Sequence, residues 1–198
     1  VYAHKFGSPK EKNACMTKQK HILLGVTGSI AAYKAAELVR LICKRKWIVS
    51  VIMTRSATRF VTELTFRTLS RQPVVTDIFE PVENWKPEHI ALAERANALI
   101  IAPCTANVIA KLAHGIADDA LTATALACSA PLIIVPAMNE NMWNHPATKE
   151  NIRILKSRGA LVVGVEKGEL ASGYTGWGHI ASGESIIKVL EQTMGSGL

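Results

Sequence analysis

The sequence predicts an α/β fold, a doubly wound, three-layer, Rossmann-like parallel sheet. Three observations carry this. Short apolar runs alternate with helical periodicity along the chain, the runs are apolar throughout instead of every second residue, and small polar residues cluster just after them. Strands buried on both faces and joined by helices read this way, and their carboxyl ends are where such sheets bind ligands.

The chain has 198 residues and 48% hydrophobic content, enough for one domain with a full core and short for two. A single domain over residues 16–198 is expected. Residues 1–15 are set aside as an artificial or disordered leader, because Met16 followed by Thr-Lys-Gln-Lys and an apolar run reads as a natural start. The formal charge is +7, but residues 1–20 hold five Lys and one Glu and so account for +4 of it. Little is left for nucleic acid. Arg40, Lys44, Arg45 and Lys46 cluster where a helix should end, and cations there complement its dipole. Cys15, Cys43, Cys104 and Cys128 form no CxxC pair and no metal-ligand spacing with histidine, which fits reduced thiols in a cytoplasmic protein and no metal site. No run is long enough to span a bilayer, so no membrane partner is expected.

Taken in order, His21 to Val26 is the first strand, and Gly28-Ser29-Ile30 leads into a helix from Ala31 to Lys44. A glycine-containing turn there aims backbone N–H groups and a helix N-terminus at an anion, normally a phosphate. It is neither GxGxxG nor a Walker loop, and a plain tight turn is the alternative reading. Trp47 to Met53 is the second strand, followed by a helix from about Thr58 to Ser70; Ser56 is an N-cap or, with Thr58, part of the same cofactor site. No acid ends this strand to hold a ribose, which counts against a dinucleotide.

Pro73 to Ile78 is a short strand, and the polar stretch from Phe79 leads to His89, which by itself reads as structural. Asn97 to Ala102 is the next strand, with Thr105 and Asn107 at the head of the helix that follows it. Ala120 to Cys128 is a small-residue helix suited to close packing on the sheet or on another subunit, and what its Thr122 and Thr124 face matters. The run Pro131 to Val135 is a buried strand ending in the octet Pro136-Ala137-Met138-Asn139-Glu140-Asn141-Met142-Trp143. Asn139 there can both donate and accept; Met138, Met142 and Trp143 are either site walls or ordinary core. A helix runs from Pro146 to Arg158 and a last strand from Ala160 to Val165. Residues 164–183 hold six of the thirteen glycines, a mobile or tightly folded flap that carries Tyr174 and Trp177, before a closing helix from Ser185 to Met194.

Gly28-Ser29-Ile30-Ala31-Ala32-Tyr33-Lys34, His89-Ile90, Ala102 to Asn107, the octet, and Leu170-Ala171-Ser172-Gly173 occur together and in order. In this the chain resembles the homo-oligomeric flavin-containing cysteine decarboxylases, and among them those acting on phosphopantothenoylcysteine. The resemblance covers roughly Lys20 to Thr193. It implies a flavodoxin-like flavoprotein with FMN held by Gly28, Ser29, Ile30, Ser56, Thr58, Thr105, Asn107, Asp119 and Thr122. It implies His89 as the active-site histidine, Asn139 as the grip on the substrate carboxylate or amide, and Met142 and Ala171 as further substrate contacts. The implied reaction is FMN-dependent decarboxylation of the cysteine moiety of phosphopantothenoylcysteine to phosphopantetheine in coenzyme A biosynthesis, in a trimer or dodecamer with sites between subunits.

Two departures stand out. Ser172 occupies the place of the family's cysteine acid, and Gly178-His179-Ile180 replaces the usual Gly-Arg-Met/Leu. Ser172 keeps two alternatives in view: oxidative decarboxylation of a peptide C-terminal cysteine to an enethiol, or a regulatory FMN protein without turnover.

Overall fold

The computed structural model describes residues 19–79, 87–169, 173 and 175–195. The elements run β1 (His21–Val26), α1 (Ala32–Lys44), β2 (Ile48–Met53), α2 (Glu63–Ser70), β3 (Val74–Val75), α3 (Glu88–Arg95), β4 (Ala98–Cys104), α4 (Ala106–His114), α5 (Ala120–Ala127), β5 (Leu132–Pro136), α6 (Glu140–Asn144), α7 (Pro146–Ser157), β6 (Leu161–Val162), β7 (Glu166–Glu169), β8 (Thr175–His179) and α8 (Gly183–Gly195). The leader, residues 1–15, and Met16 lie outside the described residues.

Six parallel strands form one sheet in the order β3-β2-β1-β4-β5-β6. This is the Rossmann order, and the order reverses between β1 and β4. The side-chain alternation divides the core in two. Ile22, Leu24, Val26, Val49, Val51, Ile100, Ile133 and Val135 face the layer that holds α1, α2 and α8; Leu23, Ile52, Leu99, Ile101 and Ile134 face the layer of α3, α4, α5 and α7. Both faces are covered, so every strand residue of β1 and β4 is buried, as the unbroken apolar runs require. Gly25 is part of the fit: a Cβ there would stand 2.4 Å from Leu121 Cδ1, so its absence lets α5 settle on the sheet.

Several elements are shorter than their sequence patterns suggest. The expected helix from Thr58 is instead a 3-10 turn, Ala57–Arg59, then a break at Thr62 in extended geometry, then α2. The β-branched pair Val61-Thr62 favours that break. The strands at Pro73 to Ile78 and Ala160 to Val165 shrink to β3 and β6, two residues each. Both lie at sheet edges, where one side of the strand has no partner ladder to extend it. The glycine-rich flap is a folded antiparallel hairpin, β7 with β8, beside the main sheet. Among the described residues, no helix is long and apolar enough to cross a membrane.

Candidate active site

The loops that follow β1, β2, β4 and β5 share the carboxyl edge of the sheet, because the strands are parallel. His89 lies in the first turn of α3, on a helix whose far end is followed by Asn97 at the opposite edge, where Asn97 Oδ1 accepts from His21 N at 2.7 Å.

Thr27, fully buried, staples the two loops at the switch point. Its hydroxyl donates to Pro103 O at 2.7 Å and accepts from Thr105 N at 3.1 Å. Thr105 in turn caps α4, accepting from Val108 N, and Asn107 stands exposed in the first turn of that helix. Sequence reasoning passed over Thr27; its signal was a hydroxyl at the end of a run that is otherwise apolar.

The Gly28 turn fits a phosphate. Among the described residues, no protein acceptor takes the N–H of Gly28 or Ile30, and α1 has no side-chain cap. Ser29 Oγ accepts from Ala31 N at 3.3 Å, which rounds the turn. Ser56 lies against this turn, since a Cβ on Gly28 would meet Ser56 Cβ at 2.4 Å. The Ser56 hydroxyl makes no capping bond and is exposed. Unpaired backbone donors, a helix N-terminus and a free hydroxyl at one place are what an anion needs.

Thr58 departs from expectation. Its hydroxyl donates to Arg55 O at 2.9 Å, and its side chain borders a separate hollow with Thr62, Arg67 and Arg71. Asp119 and Thr122 depart more fully. Asp119 caps α5, accepting from Thr122 N at 2.8 Å and from Thr122 Oγ1 at 2.9 Å, while its other oxygen takes Lys111 Nζ at 3.2 Å. Thr122 is buried and borders an apolar hollow of about 650 Å³ that includes Leu126, Ser129, Leu132 and Leu161. Within one chain these two residues complete a capping box. Thr124 likewise bonds its own helix, at Ala120 O.

Asn139 caps α6, its Oδ1 accepting from Asn141 N at 2.9 Å. One lone pair of the amide oxygen is therefore taken, and the other lone pair and the Nδ2 donors remain. Met138 and Trp143 pack on the core, whereas Met142 is 49% exposed and is left as wall. Lys149 Nζ lies 4.0 Å over the Trp143 ring, which steadies the octet from α7. His89 Nδ1 is buried and has no hydrogen-bond partner among the described residues, an unmet group of the kind functional sites hold. Cys104, fully buried at the end of β4, is no nucleophile, because burial pushes its thiol far up. Ala171, Ser172 and Tyr174 lie outside the described residues. No cluster of His, Cys, Asp or Glu among the described residues could hold a metal ion.

The hairpin closes over the octet. Met138 N donates to Gly178 O at 3.1 Å, and Gly178 has φ +134° with its Cα so near that a Cβ would fall 2.0 Å from Met138 O. Only glycine permits that approach.

This arrangement has close counterparts. Coenzyme A biosynthesis bifunctional protein CoaBC of Bacillus subtilis (strain 168) is 47% identical over 177 residues, 89% of this chain and 44% of that protein, so the chain spans less than half of that relative's length. Among solved structures, a Cys-to-Ser mutant of PPC decarboxylase complexed with pantothenoylaminoethenethiol superposes with a TM-score of 0.79 at 30% identity, covering 88% of this chain and 98% of that one. The FMN-dependent cysteine decarboxylase SpaF gives a TM-score of 0.76 at 32% identity, covering 88% and 97%. The family model described as Flavoprotein matches residues 10–195, and with the parallel sheet and the loops on its carboxyl edge it establishes that the chain belongs to the flavoprotein family.

Proposed function

We propose that this chain binds FMN and decarboxylates the cysteine moiety of phosphopantothenoylcysteine to give phosphopantetheine, a carboxy-lyase step of coenzyme A biosynthesis. The observation that carries the reading is the anion-ready Gly28 turn on the same sheet edge as the octet, the loops after β1 and β5 of one parallel sheet. The similarity to the Bacillus subtilis protein and to PPC decarboxylase supports the substrate.

Gly28, Ile30, Ser29 and Ser56 would hold the phosphate of FMN, with Thr105 and Asn107 beside its ring system. A single anion turn, with no acid ending β2, suits a mononucleotide better than a dinucleotide. When bound, FMN supplies the two-electron oxidation of the thiol-bearing carbon, which gives the leaving carboxylate an electron sink, and later returns those electrons. The Asn139 Nδ2 donors are placed to fix the substrate carboxylate or amide. His89 manages the proton of the substrate thiol, a task suited to imidazole near neutral pH. Met142 and the hairpin enclose the site and exclude water.

Among the described residues the free cysteines Cys43, Cys104 and Cys128 support a cytoplasmic setting. Assembly as a trimer or dodecamer is supported by α5, whose Leu126 is 66% exposed beside the apolar hollow; a second copy there would cover it. In that assembly Asp119 and Thr122 act by shaping α5 for the contact.

A second reading rests on Ser172, a far weaker acid than the thiol it replaces, and on the similarity to SpaF: release of an enethiol from a peptidyl cysteine. One experiment separates the two. The protein and its Ser172→Cys variant are given phosphopantothenoylcysteine and the products weighed by mass spectrometry. Fully reduced phosphopantetheine over many turnovers from the unaltered protein supports the first reading. A product lighter by two hydrogens, corrected in Ser172→Cys, places the defect in the final protonation. No decarboxylation by either form refutes the first reading and moves the weight to a peptide substrate or a regulatory flavoprotein. His89→Asn and Asn139→Asp should each abolish CO2 release and keep FMN; normal turnover by His89→Asn would return His89 to a structural role.

A further inference from the structure

The described anchors of the β7–β8 hairpin gather at its base. Met138 N donates to Gly178 O at 3.1 Å, and Ser182 N donates to Glu166 Oε1 at 2.9 Å. The third anchor crosses to α1, where Lys34 Nζ lies 2.9 Å from His179 Nε2, 145 residues away in sequence. A lysine ammonium has donors and no acceptor, so Nε2 must accept and the imidazole proton must sit on Nδ1. That Nδ1 is itself buried and without a partner among the described residues. The ring packs against Gly168 in the facing strand, where a Cβ would stand 3.2 Å from His179 Cγ. His179 is thus held on one side by a residue that makes room for it and on the other by a charge.

We propose that Lys34 and His179 are positioning residues for the reaction. Their bond ties the base of the hairpin to α1, the helix that begins at the Gly28 turn, and so sets the spacing between the hairpin and the cofactor loops. The proposal rests on the reading that the hairpin covers the substrate. An arginine at position 179 would repel Lys34; a neutral imidazole accepts from it. Lys34 and His179 therefore work as a pair in this chain.

The test uses the purified protein with its flavin. Amide hydrogen exchange is followed over Glu166–Glu169 and Thr175–His179 in Lys34→Met, His179→Leu and His179→Gln. Lys34→Met and His179→Leu should each speed exchange in the hairpin at least about tenfold and leave β1, β4 and β5 unchanged, since one charge-assisted bond is lost locally. His179→Gln should restore the parent pattern, because its amide oxygen accepts from Lys34 while its NH2 takes the place of Nδ1–H. The double variant Lys34→Met/His179→Leu should be no worse than either single one. In the kinetics, KM should rise more than kcat falls for the broken pair and return with glutamine. Nitrogen NMR of the imidazole should find the proton on Nδ1.

Unchanged hairpin exchange in the single variants, multiplying effects in the double variant, or a proton on Nε2 would each overturn the proposal. Failure of the functional reading looks different: loosened exchange in Lys34→Met with no decarboxylation by the unaltered protein leaves the tie standing. Normal decarboxylation with unmoved exchange removes the tie and leaves the reaction.

Discussion

Gly178→Ala tests whether the hairpin and the octet form one working unit. The new Cβ would sit 2.0 Å from Met138 O, 3.2 Å from Met138 C and 3.5 Å from Asn139 C, all backbone atoms that no rotamer change can clear. Ordinary carbon-to-oxygen contacts begin at about 3.3 Å, so β8 must retreat by roughly 1 Å. The backbone adds its own cost: φ is +134°, a region that side chains avoid at about 1–3 kcal/mol. The retreat also weakens the bond from Met138 N to Gly178 O, worth about 0.5–1.5 kcal/mol. Together these put roughly 2–4 kcal/mol against the docked hairpin. Since a misplacement near 1 Å costs up to about a hundredfold in rate, kcat/KM for CO2 release should fall by about that factor. The central sheet does not include β8, so FMN content and the main thermal transition should stay near those of the parent. Gly164→Ala is the control, because nothing lies within 4 Å of its Cβ position. A Gly178→Ala protein within twofold of the parent, or one that loses flavin together with activity, would refute the argument.

Three further outcomes are expected. Thr27→Val removes the staple between Pro103 O and Thr105 N and should lower stability by about 2 kcal/mol in urea titration, with weaker flavin retention; an unchanged midpoint would mean water replaces the hydroxyl. Gly28→Asp should lose flavin, and Gly28→Ala should too, because even one carbon stands 2.4 Å from Ser56 Cβ and parts the two loops; flavin retained in Gly28→Ala would return the effect to charge alone. Burial, and secondarily Arg95, holds the His21 imidazole below its ordinary 6.5. The native state therefore resists the proton that the unfolded chain accepts, so stability is full above pH 6.5 and declines below it, by up to about 1.4 kcal/mol per pH unit, until the folded group also titrates. His21→Gln should flatten that acid limb in thermal melts between pH 7 and 5, and an identical slope in both proteins would assign the acid sensitivity elsewhere.

Local pattern was enough to determine the layers, the order of the elements and the sheet edge on which the candidate loops fall. The runs Ile22 to Val26 and Ala98 to Cys104 are buried at every position because each strand is covered on both faces, and that requirement is written in consecutive residues with scarcely a polar side chain. The Gly28 turn, Thr105 with Asn107, and the octet were legible for the same reason, since each directly follows such a run. The expectation of one domain over residues 16–198, by contrast, rests on length and composition alone.

What only the tertiary structure decided concerns pairs that meet across long stretches of chain. Beyond its hydroxyl, Thr27 carries no local signal of its role, which exists only because Pro103 and Thr105 are brought beside it. Asp119 and Thr122, cofactor contacts by resemblance, also cap their own helix, because a capping donor three residues away is within reach. Asn139 gives one of its two lone pairs to α6 in the same way. Gly178 and Lys34 show the converse. Periodicity marks which face of an element is buried, but the distance from Gly178 to Met138, or from Lys34 to His179, depends on how the hairpin settles against two other loops, and no local pattern encodes that.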